Sequence, residues 1–105
     1  MVPLLGACAG DSTPDATPEP TFADPELALG ARVYAERCAV CHGSQGDGGV
    51  GPAVRSDAVV VNLPDVAEHR AVVANGRNTM PAWGHLLSEQ EIDAVVRYQR
   101  EELGR

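Results

Sequence analysis

Apolar positions fall into two helical stripes separated by a long stretch of turn-forming residues. Leu27, Val33 and Tyr34, with Gly30 between them, recur at helical spacing. Asp24 stands ahead of them as an N-cap, Pro25 at the first helical position and Glu26 in the first turn, where a negative charge suits the helix dipole. This first helix is expected to run into Cys38. Near the C-terminus, Ile92, Val95, Val96, Gln99 and Leu103 lie on one face of a last helix. It opens at Ser88, where Ser88-Glu89-Gln90-Glu91 reads as a capping box. A third helix is expected from Pro64 to Ala74, closed by Asn75-Gly76. Between these elements, Gly43, Gly46, Gly48, Gly49, Gly51 and Pro52 mark a loop, and residues 77–87 form another around Met80-Pro81. Val59-Val60-Val61 has no second strand to pair with and is read as a buried connector. The pattern is all-α, with no sheet and no internal repeat.

Residues 9–23 break the pattern. They are rich in Pro, Thr and acid, with Phe22 as the one large apolar side chain. Such a segment buries too little to offset its ordering entropy, so a disordered linker is expected there. The chain therefore divides into residues 1–8, the linker 9–23 and a folded domain 24–105. A domain of that size has a modest core and often depends on a bound group. The only aromatic residues, Phe22, Tyr34, Trp83 and Tyr98, are too few to fill it.

The formal net charge of −7 comes largely from the first 26 residues, which hold five acids and no base. The remainder carries ten acids against eight arginines, and the chain has no lysine. No basic stripe exists, which argues against nucleic-acid binding. No apolar run reaches the roughly 18–20 residues of a membrane span.

The chemistry is concentrated in Cys38-Ala39-Val40-Cys41-His42. Cys-x-x-Cys-His is the attachment signature of c-type haem. Two thiols three residues apart reach the two vinyl groups on one porphyrin edge, and the following histidine offers its imidazole to the iron. A thioredoxin-like redox motif would need a βαβ setting. A zinc site would need a second ligand pair at metal spacing. Neither context is present in the sequence.

From these residues the chain resembles the class I c-type cytochromes, over about residues 25–103. Gly30 and Tyr34 precede Cys38 by eight and four positions, and Tyr98 lies on the last helix, as the small and aromatic residues of that family do. The resemblance implies an all-α class I cytochrome c fold of three to four helices around one covalent haem c, with the two terminal helices crossing at Gly30. It implies that Pro52, ten residues after His42, gives its carbonyl to the second ring nitrogen of that histidine. Asn78-Thr79-Met80-Pro81-Ala82-Trp83-Gly84 resembles the loop that brings the second axial ligand, Met80. A neutral thioether there raises the potential and closes the iron to substrates. Trp83 is expected at the haem or on the surface beside it. His69 and His85 are weaker candidates for the sixth ligand, with His69 expected to be exposed between Glu68 and Arg70. One departure is Gln99, where the family usually has a large apolar residue.

The third cysteine, Cys8, ends Leu5-Gly6-Ala7-Cys8, which resembles a bacterial lipoprotein cleavage site. That implies a lipidated Cys8, with the linker spacing the domain from the membrane. The competing reading is a chance cysteine in a truncated secretory signal. Haem attachment of this kind implies the outer, periplasmic side of the cytoplasmic membrane. The function implied is one-electron transfer, not enzymatic catalysis, in a bacterial respiratory or photosynthetic chain. The expected partners are a quinol-oxidising complex and a terminal oxidase, and the expected state is a monomer. A haem enzyme or gas sensor, and a subunit or detached domain of an oxidase or dehydrogenase, are the rival readings.

Overall fold

A computed structural model describes residues 22–105. Residues 1–8, Cys8 and most of the expected linker lie outside the described residues. The helical elements are α1 (Pro25–Val33), a π-helical turn (Tyr34–Cys38), α2 (Ala39–His42), α3 (Ser56–Asn62), α4 (Val66–Asn75) and α5 (Glu89–Glu101). The first three follow one another without a break, so the described residues form four rods. Among the described residues there is no strand, only an isolated bridge between Arg77 and Met80.

Local chemistry sets where the helices start. Asp24 accepts a hydrogen bond from the Glu26 amide at 2.9 Å, with Pro25 directly after the cap. Ser88 Oγ accepts from the Glu91 amide at 3.0 Å, and Glu91 Oε1 accepts from the Ser88 amide at 2.8 Å. Each satisfied cap stabilises its helix by about 1 kcal/mol. At α4 the cap is Asp65, accepting from the Ala67 amide at 2.8 Å, so Pro64 lies outside the helix rather than opening it. Gly76 closes α4 at φ 78°, a left-handed position that favours glycine.

The core is the crossing of α1 and α5. A Cβ placed on Gly30 would lie 2.7 Å from Tyr98 Cβ and 2.8 Å from the Ala94 carbonyl carbon, so only glycine permits this approach. Tyr34, Val95, Val96 and Leu103 are buried around it. The phenol of Tyr34 donates to the Gly43 carbonyl at 2.7 Å, which gives a buried hydroxyl its partner. Burial holds its ionisation well above the ordinary tyrosine range. Phe22, placed by the sequence in the linker, packs edge-on against Tyr98 at 6.0 Å between ring centroids, ahead of the Asp24 cap. Arg97 on α5 pairs with Asp24, Glu26 and Glu101 and ties the two ends of the crossing together.

Two further expectations are corrected. Val59-Val60-Val61 is not a connector but the middle of helix α3, and of the three valines only Val59 is buried. Three β-branched residues carry weak helix preference, and burial of one face against the protein overrides it. His69 is not exposed: it is 2% accessible and faces inward from α4. Charged neighbours at positions 68 and 70 do not predict the face of the residue between them.

Candidate functional site

Helix α1 and the π-helical turn lead into the Cys38–His42 segment. The Ala39 amide bonds to the Tyr34 carbonyl, five residues back, which widens the helix one turn before the cysteine motif. Cys38 is buried and Cys41 partly so, and both thiols are free. Burial, followed by the proximity of Cys41, pushes the Cys38 thiol up to about 11. Among the described residues, no three His, Cys, Asp or Glu side chains gather as a metal site. Among these residues there is thus no ligand set for a tetrahedral zinc centre.

After His42 the chain turns sharply through Gly43, at φ 88°, and folds back beneath the motif. The Gly48 amide donates to the His42 carbonyl and the Gly51 amide to the Cys41 carbonyl, each at 2.8 Å. This turn sets Gly51 flat against the imidazole. A Cβ on Gly51 would lie 2.7 Å from His42 Cε1 and 2.9 Å from Nδ1. Beside it, His42 Nδ1 lies 2.7 Å from the Pro52 carbonyl oxygen. A carbonyl only accepts, so Nδ1 carries the proton and Nε2 keeps its lone pair.

The opposite side is formed by the loop after α4. The Trp83 and Gly84 amides donate back to the Val73 and Ala74 carbonyls at 3.0 and 2.9 Å, laying the loop along the helix. A Cβ on Gly76 would lie 2.5 Å from the Met80 carbonyl oxygen, so this return path needs glycine. Asn78 takes the left-handed conformation at φ 57°, and the Met80 amide bonds to the Arg77 carbonyl at 2.9 Å. Met80 is thereby carried to the wall of the cavity. Trp83 also lines it, with the Arg37 guanidinium 5.9 Å from its ring centroid. His85 is exposed and takes no part in the wall.

The cavity has a volume of about 540 Å³ and is open on one side. Cys38, Cys41, His42, Pro52, Met80 and Trp83 all border it. Much of the remaining wall is aliphatic, including Val59, Leu63, Val72 and Val73. A large, flat, mostly apolar group that offers an iron to imidazole and thioether fits this donor set. Imidazole and thioether are ligands that suit such an iron, and the two thiols can bond the vinyl edge of the ring. Cys8 lies outside the described residues. Two polar residues of the wall, His69 and Gln99, were not expected there: the sequence placed His69 in solvent and marked Gln99 only as a departure from the family pattern. The one signal was Gln99 itself, a polar residue on the buried stripe of α5.

The family described as "Cytochrome C oxidase, cbb3-type, subunit III" matches residues 25–98, which contain Cys38, Cys41, His42, Pro52, Met80 and Trp83. The chain belongs to this family of c-type cytochromes. The cytochrome is 34% identical over 98 residues to the cbb3-type cytochrome c oxidase subunit FixP of Azorhizobium caulinodans, covering 90% of this chain and 29% of FixP. It is 36% identical over 78 residues to cytochrome c6 of Bryopsis maxima, covering 70% of this chain and 88% of that one. Among solved structures, the c-type cytochrome NirC aligns with a TM-score of 0.62 at 29% identity, over 77% of this chain and 94% of NirC. The cytochrome thus spans less than a third of FixP but most of the two smaller proteins. Its fold is that of the class I cytochromes c, and its cofactor is one covalent haem c.

Proposed function

We propose that this cytochrome carries single electrons through a haem c bonded to Cys38 and Cys41, with His42 and Met80 as axial ligands. The observation that carries the reading is the bond between His42 Nδ1 and the Pro52 carbonyl. It commits one ring nitrogen and leaves Nε2 as the ligand, with the basicity that such a bond confers. Met80 on the other wall supplies a neutral thioether, which favours the reduced iron and closes the second axial position. Held by both residues, a bound haem would supply one-electron chemistry with no open position for substrate. Trp83 would cover it on the Met80 side.

In this reading the protein works on the outer side of the cytoplasmic membrane, held there by a lipid on Cys8. It passes electrons from a quinol-oxidising complex towards a terminal oxidase. No helix among the described residues is long and apolar enough to cross a membrane, and the acidic, proline-rich segment after Cys8 suits a tether. Similarity to FixP over 90% of the chain supports a second reading, in which the domain serves within an oxidase.

Acid-acetone extraction tests the attachment. Haem is expected to stay with the chain, and the protein mass to rise by one haem. Extractable haem in the wild-type protein refutes the assignment. The oxidised protein should show the weak near-infrared sulfur-to-iron band, lost in Met80→Ala. Rapid carbon monoxide binding by the reduced wild type would overturn the closed axial site and favour a sensor or enzyme. Co-purification with an oxidase in membrane extracts would select the second reading, and release by Cys8→Ser of a protein that otherwise fractionates with membranes the first.

A further inference from the structure

Behind the cavity, α4 and α5 bury a chain of polar groups that the electron-carrier reading does not use. Arg100 is anchored first: its Nη1 donates to the Leu63 carbonyl at 2.6 Å and its Nη2 to the Pro64 carbonyl at 3.0 Å. Nη1 also lies 3.4 Å from His69 Nδ1. On the other side of the ring, His69 Nε2 lies 2.7 Å from Gln99 Oε1. His69 is 2% and Gln99 4% accessible, and both line the cavity.

The donors and acceptors permit one arrangement. A guanidinium only donates, so Nδ1 must accept and carries no proton. Nε2 then holds the ring proton and donates to Gln99. This fixes the Gln99 amide with its oxygen turned to the histidine and its NH2 group on the other side. Among the described residues that NH2 group has no acceptor, although a buried donor is ordinarily paired. Burial and then the Arg100 charge act to lower the pKa of His69, which keeps the ring neutral and the arrangement in place. The Gln99 hydrogen bond opposes them only in part.

We propose that Arg100, His69 and Gln99 form a locked hydrogen-bond chain that presents the positive end of the Gln99 amide to the haem and raises its reduction potential. His69 is a positioning residue, since it sets which end of the amide faces the cavity. An oriented N–H dipole at a low-dielectric wall disfavours the added positive charge of the oxidised iron and costs no reorganisation when the electron moves. The inference rests on the haem occupying the cavity as proposed above.

The decisive variant is Gln99→Glu in the haem-loaded protein. It keeps the oxygen that His69 needs and replaces the NH2 group by a second oxygen. The midpoint potential is expected to fall, with the ratio of oxidised to reduced protein at a fixed applied potential rising about tenfold, equivalent to about 59 mV for one electron. His69→Leu, which releases the amide to turn over, should lower the potential by a smaller amount. An unchanged or raised potential in a folded, haem-loaded Gln99→Glu protein overturns the proposal. Nitrogen-15 spectroscopy of the wild type decides it without any variant. The His69 ring should be neutral and protonated at Nε2 in both oxidation states, and a ring protonated at Nδ1, or at both nitrogens at neutral pH, overturns the lock. Failure of the wild type to retain covalent haem would instead refute the electron-carrier reading.

Discussion

Substituting Gly30 by alanine sets two effects against each other at one position. In an isolated helix the change is favourable by about 1 kcal/mol, because glycine is a poor helix former. In the folded protein the added methyl would sit 2.7 Å from Tyr98 Cβ and 2.8 Å from the Ala94 carbonyl carbon. Ordinary van der Waals contact needs roughly 3.5–4.0 Å, so α1 and α5 must separate by on the order of an ångström. The Ala94 backbone belongs to the most deeply buried turn of α5 and cannot rotate aside as a flexible side chain would. Overpacking of a close-packed contact costs about 1–3 kcal/mol, and a backbone obstacle places this case at the upper end. With the propensity gain subtracted, the variant should be about 2 kcal/mol less stable. In a domain of this size that corresponds to a fall in Tm of roughly 8–16 °C. Thermal unfolding of the haem-loaded protein, followed by far-ultraviolet circular dichroism, measures it. A Gly30→Ala protein that melts at or above the wild-type temperature would show that the helix crossing is not limited by that contact.

Three further outcomes are expected. Gly51→Ala should push the His42 ring off the Pro52 carbonyl, so that the reduced variant binds carbon monoxide where the wild type does not; an unaltered closed spectrum would show that the imidazole tolerates the displacement. His69 is buried neutral with a lowered pKa, so the unfolded chain takes up its proton first. Its contribution to stability is therefore complete above about pH 6.5, the ordinary histidine value, and is lost as the pH falls from there towards the folded pKa. The Tm of the wild type should drop more between pH 7.5 and 5 than that of His69→Gln, and parallel curves would refute this. Electron transfer from the domain beginning at residue 22 should depend weakly on ionic strength. Exposed Val40 and the Ala82-Trp83 edge offer an apolar docking face, and the domain from residue 22 carries twelve acids against eight arginines, with Asp24 and Glu26 both paired to Arg97. A steep loss of rate between low and physiological salt would mean that charge pairing leads the docking.

What the sequence alone determined is local. The caps at Asp24 and Ser88 join atoms two or three residues apart, and Gly76 answers to the backbone angle at its own position, so each is readable without knowing the fold. The cysteine motif is legible for the same reason: its thiols and imidazole lie within five consecutive residues. Resemblance to the class I cytochromes brought in Met80 and Pro52, which no local rule connects to His42. Tertiary structure decided the rest. The three valines of α3 look alike in sequence, and only packing separates buried Val59 from the two exposed ones. The need for glycine at position 51 appears only once the His42 ring is seen lying against it. His69 sits between charged neighbours that suggest solvent, yet its partners come from α5, thirty positions further along the chain. Hydrogen bonds over that separation depend on how α4 and α5 cross, and this crossing turns an isolated histidine and an out-of-pattern glutamine into a single buried pair.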